Sequence, residues 1–309
     1  VIASVLGGAT LWLWGAVELS PLERRVDEPL LLATSAPVLR SAGEPARARL
    51  AGVQLSIGST PRELETLAVT CNRAAGAAVC RPETFALELS PGAPIRVPSF
   101  FFDVREVSVR AYDRCVSAGR CPPPTSVAVG DAGTDPRELP VVGVSQQDAR
   151  AYCAFAGGRL PHEHEFERAV RGPRSRQYSW GDQFHEGRLN GGSWGAAQTN
   201  PADGFERLAP VGAFVDGRTP EGILQLLGNA EEWTGAEPGA PLVEATGGTR
   251  ESNGGTSSGL GVVRGGHFAD PPWNLRGPAR RIVPSQSRRP TLGFRCAKSD
   301  PRPPPRRTL

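Results

Sequence analysis

Two short helices joined by a hard corner can be read directly from residues 140–181, PVVGVSQQDARAYCAFAGGRLPHEHEFERAVRGPRSRQYSWG. Ser145 is a good N-cap and Asp148 stands three residues on, the spacing of a capping box. Ala149, Tyr152, Cys153 and Ala156 then fall on one helical face, an apolar stripe meant for a core. Gly157 and Gly158 supply a left-handed stop. Pro161 opens the next turn, Phe166, Ala169 and Val170 form the inner side of a second helix, and Gly172 closes it. The chain leaves through a Trp180–Gly181 turn. Few packings satisfy two apolar stripes set so close on either side of a corner.

Regular structure is sparse elsewhere. With 37 glycines and 30 prolines in 309 residues, elements are interrupted often, which suits a loop-rich globular domain and not a helical bundle. Helices are predicted over 61–73, with Leu64, Leu67, Ala68 and Cys71 inward, and over 108–118. Strand-like runs are short: 53–57, 96–103, 262–264 and 292–297. Few helices, few strands and many loops predict an α+β domain. No repeat of fixed length is visible. The net charge of +3 is scattered and almost all arginine, Lys298 being the only lysine, so nucleic acid is not an indicated partner.

The first 17 residues, VIASVLGGATLWLWGAV, carry no charge until Glu18. That length sits at the short end of a membrane span, and Trp12 and Trp14 suit an interfacial belt, so residues 1–17 are read as a membrane anchor or signal-anchor remnant. A signal-peptide core is the rival reading, with no convincing cleavage site. Residues 18–49 lack any sustained period and are read as a disordered linker, and 299–309 as a Pro/Arg-rich tail. The chain has no methionine, so it is read as processed or as a fragment with an upstream region.

Six cysteines form an even set. Cys71 and Cys80 bracket one small loop, and Cys115 and Cys121 another, so local pairs are plausible. None has zinc spacing. Downstream of a membrane segment, such a set predicts disulfides and an extracytoplasmic domain, periplasmic or at the cell surface. HEHEFE at 162–167 invites a zinc reading, but His162 and His164 are two apart, and a helical zinc pair needs i and i+4. His162 is read as a cap, with Glu163 and Glu167 solvated.

The 140–181 run, GNAEEW at 228–233, RGGHF…GFRC at 264–296, LSIGSTPRE and FFFDVREVSVRAYDRCVSAG together resemble the formylglycine-generating-enzyme (sulfatase-modifying factor) domain over 50–298. The resemblance implies a C-type-lectin-like α+β fold with little regular structure, and a Cys153–Cys296 disulfide. It implies two structural calcium sites. The first would use Asn190, Gly191, Asp203 and Phe205. The second would use Gln225, in place of the usual Asn, with Gly228, Ala230 and Glu232. The family's oxidases hold copper(I) through a cysteine pair and oxidise a substrate cysteine. Those two positions are Asp270 and Leu275 here. His267 stands for a serine and Glu231 for a tryptophan. Copper(I) prefers sulfur, so copper and the family's oxidase activity are not expected.

Glu231, His267, Asp270 and Trp273 are grouped as a candidate groove, against a reading in which Asp270-Pro271-Pro272 is only a rigid turn with His267 in solvent. Arg264, Arg276 and Arg280 are assigned to knitting loops to carboxylates. The leading functional reading is a membrane-tethered, sensory or structural module that binds a protein or peptide in the groove. Similar domains occur attached to membrane kinases, so an upstream kinase is a candidate. The alternative is an oxidase of formylglycine-generating or non-haem-metal type acting on a protein or small thiol.

Overall fold

The computed structural model describes residues 45–76, 80–90, 92–194, 198–235 and 259–301. The anchor at 1–17, the linker up to 44 and the tail from 302 lie outside the described residues, among which no helix is long and apolar enough to cross a membrane. The linker as read runs too far. Arg47–Leu50 forms strand β1, antiparallel to β4 (Phe100–Asp103). Its period was hidden because Arg47 is buried: its guanidinium donates to Asp103 Oδ1 at 2.8 Å and to Ala156 O at 2.9 Å.

Each of the four α-helices among the described residues starts on a side-chain cap. Helix α1 (Pro61–Ala75) begins on a reciprocal Thr60/Glu63 box and ends at Gly76 with φ 66°. Ser108 caps α2 (Val109–Ser117). The Ser145/Asp148 box opens α3 (Gln146–Phe155) as expected. His162 caps α4 (Glu163–Arg171), its ring nitrogen accepting from His164 N. Of the two glycines after α3, only Gly157 is left-handed, with φ 69°. Gly158 is required for another reason, because a Cβ there would sit 2.5 Å from Ala297 O.

The strands form three small sheets: β1-β4-β9, the pair β2-β3, and β7-β6-β5-β8. Here β2 is Val53–Leu55, β3 Ile95–Val97, β5 Glu231–Trp233, β6 Leu260–Arg264, β7 Arg280–Pro284, β8 Leu292–Gly293 and β9 Ala297–Ser299. Only β5–β8 is parallel. The single strand expected over 96–103 breaks at Pro98, which has no N–H to give, and its halves join different sheets. The run 292–297 divides the same way. Strands β5 and β7 escaped the sequence reading because Glu231, Glu232, Arg280 and Arg281 look like surface residues.

Two apolar clusters carry most of the core. One packs Phe100, Phe102 and Phe166 with Leu226 and Leu275. The other packs Tyr112, Tyr152, Trp233 and Phe294, with Tyr112 stacked on Tyr152 at 5.6 Å and Phe294 edge-on to both. All six cysteines pair, 71–80, 115–121 and 153–296, and none is free. The third bridge ties α3 to the end of the GFRC segment across 143 residues.

Arginines fasten the loops as the sequence suggested: Arg264 to Glu167, Arg276 to Glu88 and Arg280 to Glu163. Glu163 and Glu167 are buried, not solvated, because these arginines reach in to pair them. Glu167 also binds Arg171 and accepts from Gly58 N, so α4 holds the chain before α1 in place.

Removing the 153–296 bridge by Cys→Ser at both positions should cost about 5 kcal/mol, against about 2.5 kcal/mol for the 71–80 bridge, in the loop-entropy limit. Denaturant unfolding checks this, and equal losses would contradict it. A second outcome concerns Asp103. Burial pushes its carboxyl up to about 6 despite the Arg47 ion pair and the Cys296 N–H. A raised value means that its contribution to stability is full below the ordinary value of about 3.9 and is lost as pH rises through about 6. Stability measured across that window should fall in the parent and lose this component in Asp103→Asn.

Candidate functional site

The RGG segment leaves β6 through two left-handed residues, Gly265 (φ 87°) and Gly266 (φ 68°). A Cβ on Gly266 would meet Leu275 Cδ2 at 2.7 Å and Asp270 Oδ2 at 3.1 Å, so both family metal positions flank this one glycine. Leu275 is fully buried in the apolar cluster around Phe166. Asp270 is also buried, and its oxygens are engaged: Oδ2 accepts from His267 N at 2.9 Å and from Arg281 Nη2 at 2.8 Å, and Oδ1 from Arg281 Nη1 at 3.2 Å.

Arg281 also donates to Glu231 Oε2 at 2.8 Å, so one guanidinium bridges the two carboxylates. Arg289 and Thr291 reach Glu231 Oε1 at 3.4 and 3.3 Å. His267 lies beside Asp270 with Nε2 3.6 Å from Oδ2, and its Nδ1 accepts from Ala269 N. Burial pushes its imidazole down, opposed by the Asp270 and Glu231 charges. The ring is therefore neutral at physiological pH, and with only 19% of its side chain exposed it does not point into solvent as the rigid-turn reading had it.

Three of the four candidate groove residues thus meet. Trp273 does not join them. It packs with Leu64, Leu67, Cys71 and Phe85, and lies 6.2 Å from Trp194, because the single turn Pro272–Asn274 swings it toward α1. The polar cluster opens instead beside an apolar recess of about 470 Å³, lined by Val127, Val129, Leu208, Phe268, Pro290 and Thr291 among others. Val127 is 80% exposed there, and Thr291 belongs to both the recess and the Glu231 cluster.

The two loops assigned to calcium each contain one buried amide oxygen with no donor, Asn190 Oδ1 and Gln225 Oε1. The Asn190 amide nitrogen donates to Arg207 O and Asn229 Oδ1, and that of Gln225 to Pro210 O, which fixes both orientations. Asp203 accepts from Gly191 N and Phe205 N at 2.8 and 2.9 Å, so the first set converges. Burial pushes Asp203 up to about 6, and the charges of Glu186 and Asp131 add to the shift.

In the second set, Glu232 is occupied by Arg295, whose Nε donates to both oxygens. Glu106 lies beside it, raised by burial and by the Glu232 charge. Orphaned oxygens and excess carboxylate charge suit a hard cation. Copper(I) has no fit, since the two positions carry an ion-paired carboxylate and a hydrocarbon. Among the described residues, no three of His, Cys, Asp and Glu group as a metal site.

Several residues of this region were missed. Asn229 is fully buried, donates to both Glu106 oxygens at 3.1 and 3.0 Å, and accepts from Asn190 and Ala209 N, linking the two candidate calcium loops. The Gly228-Asn229 pair was the available signal, since such a pair favours left-handed backbone, and Asn229 indeed has φ 60°. Nothing in the sequence separates Arg281 and Arg289 from the other arginines.

A family model described as the sulfatase-modifying factor enzyme 1-like domain matches residues 60–300. The chain is 35% identical over 174 residues to the inactive C-alpha-formylglycine-generating enzyme 2 of Bos taurus, covering 54% of this chain and 52% of that protein. It is 35% identical over 165 residues to hercynine oxygenase of Mycolicibacterium smegmatis, covering 50% and 36% respectively. The chain therefore spans about half or less of the length of these curated relatives. Among solved structures, PvdO from Pseudomonas aeruginosa shares the fold with a TM-score of 0.57 at 20% identity, covering 84% of this chain and 96% of that one. The chain belongs to the sulfatase-modifying factor enzyme 1-like domain family.

Proposed function

We propose that this domain is a recognition module and not a formylglycine-generating oxidase, and that it takes a protein or peptide segment in the recess beside Glu231, His267 and Asp270. The observation that carries the reading is the sulfur inventory. Every cysteine is in a disulfide, and the family's two thiolate positions hold Leu275, buried in the core, and Asp270, locked to Arg281. The recess has exposed apolar walls at Val127 and Val129, and its Thr291 reaches Glu231, where Arg281 and Arg289 also bind, a combination that suits an apolar side chain next to a polar backbone. Anchoring through residues 1–17 and an extracytoplasmic location belong to the same proposal, supported by the three disulfides.

The similarity to hercynine oxygenase favours a second reading, a metal enzyme of different chemistry. It has few donors to use: of the four histidines, His162 caps α4, His164 lies within it, His267 is tied to Ala269 N, and His185 stands apart before the turn Glu186–Arg188. Incubation of the full chain with a cysteine-containing sulfatase peptide, copper and oxygen should leave the peptide unchanged. Peptide-display selection should yield binders that Val127→Asp and Arg281→Ala lose. Conversion of the peptide cysteine, or binders indifferent to both substitutions, would overturn the reading.

Calcium is the proposed structural cofactor, held at one site by Asn190, Gly191, Asp203 and Phe205 and at the other by Gln225, Gly228, Ala230 and Glu232. A cation there would give the orphaned Asn190 and Gln225 oxygens a partner and offset the charge of Asp203. Calcium at about 100 times its Kd should add about 2.7 kcal/mol of stability per site, read as a rise in melting temperature that a chelator reverses. Asn190→Ala should remove the share of the first site and Gln225→Ala that of the second. An unchanged melting temperature at millimolar calcium would reject both.

A further inference from the structure

We infer that a second cleft, sharing no lining residue with the recess above, binds an acidic polysaccharide. It is an open cleft of about 730 Å³ between the YSWG turn and the loops at 185–188 and 216–220, within the usual size range of ligand sites. Arg176, Arg188 and Arg218 line it together with Trp180, Glu186 and Asp216. Among the described residues, the guanidiniums of Arg176 and Arg218 hydrogen-bond only to the backbone carbonyls of Arg171 and Val215. Arg188 has no side-chain partner among the described residues. Three guanidiniums without a carboxylate partner thus converge on one concave surface. Each offers a planar fork of donors matched to a carboxylate or sulfate.

Trp180 gives the ligand its ring. One face of the indole is stacked on Tyr178, with centroids 5.3 Å apart and planes 6° from parallel, and its N–H donates to Gln183 O at 2.8 Å. The ring is fixed and its one donor used, so Trp180 lines the cleft as an aromatic surface with no donor left to offer. An apolar C–H face of a pyranose packs on such a surface, whereas a charged side chain alone has no flat face to place there.

Glu186 and Asp216 decide between classes of anion. Both are exposed, and both only accept hydrogen bonds when ionised. They would repel a polyphosphate or a nucleic-acid backbone, but they suit sugar hydroxyls. Alternating donors and acceptors around a ring platform match a polyhydroxylated ligand that also carries acid groups.

The cleft is built before any ligand arrives. Ser179 Oγ donates to Gly217 O at 2.7 Å, and Tyr178 and Gly181 exchange backbone hydrogen bonds at 2.8 and 3.3 Å. A Cβ on Gly217 would overlap Arg188 O, so the two loops touch through their backbones. Thr219 N donates to Ile223 O at 2.9 Å, closing the far side. Little ordering cost remains for binding.

Affinity electrophoresis or calorimetry of the full chain tests this with polygalacturonate, dextran, polyglutamate and polyphosphate as probes. Polygalacturonate should bind, and dextran should bind at least about tenfold more weakly. Trp180→Ala should cost about tenfold or more, Trp180→Phe should retain most binding, and Arg188→Ala and Arg218→Ala should each weaken it without changing the melting temperature. No binding of polygalacturonate would overturn the proposal. So would equal binding of polyglutamate or polyphosphate, or affinity unchanged in both Trp180→Ala and Arg188→Ala.

Discussion

Arg295 has no contact with water, and the centre of the domain is arranged around its guanidinium. Nε donates to both oxygens of Glu232, Nη2 to Glu232 and to Gln225 O at 2.9 Å, and Nη1 to Leu224 O at 2.9 Å. Its carbon sits 5.8 Å above the Phe102 ring. One side chain therefore joins β5, the irregular loop before it and β4. The next residue, Cys296, extends the tie to α3 through its disulfide. Burying a charge costs several kcal/mol unless its hydrogen bonds are all met, and here nearly every donor has a partner. A domain with this little regular structure needs such a fastener, because loop backbones do not satisfy one another as ladders do.

The same centre is unbalanced in charge. Glu106 and Glu232 share one buried arginine, and burial raises both carboxyls. Asn229 supports Glu106 but brings no charge. Gln225 keeps an orphaned oxygen a short distance along the chain. This is the physical basis for assigning a hard cation to the region. Where relatives with oxidase chemistry require sulfur, this chain has spent all its sulfur on cross-links. Asp270 at that place pairs with Arg281, and through it with Glu231, which makes a rigid wall for the proposed binding surface.

Much of the fold was legible because the decisive signals are local. Ser145 and Asp148, and Gly157, report on their own turns, and those turns formed. The arginine assignments held for Arg264, Arg276 and Arg280, because a long-range ion pair is the ordinary fate of arginine beside buried loops. What escaped depends on tertiary partners. Arg47 hid β1, since its burial rests on Asp103, 56 residues away. Glu231 and Arg281 hid β5 and β7 in the same manner, each masked as a surface residue by a charge neutralised at a distance. Trp273, expected beside Glu231, His267 and Asp270 in one groove, packs instead against α1, where the turn that opens at Pro272 places it. The cleft at Trp180 was invisible, because its residues come from three loops with no common pattern.

This member keeps the family framework while all its cysteine sulfur is held in disulfides, away from a redox metal. A copper(I) titration of the unreduced chain against a chromophoric chelator tests this most directly. The chelator should keep its copper at every protein concentration. Transfer of one copper(I) per chain to the protein would contradict it.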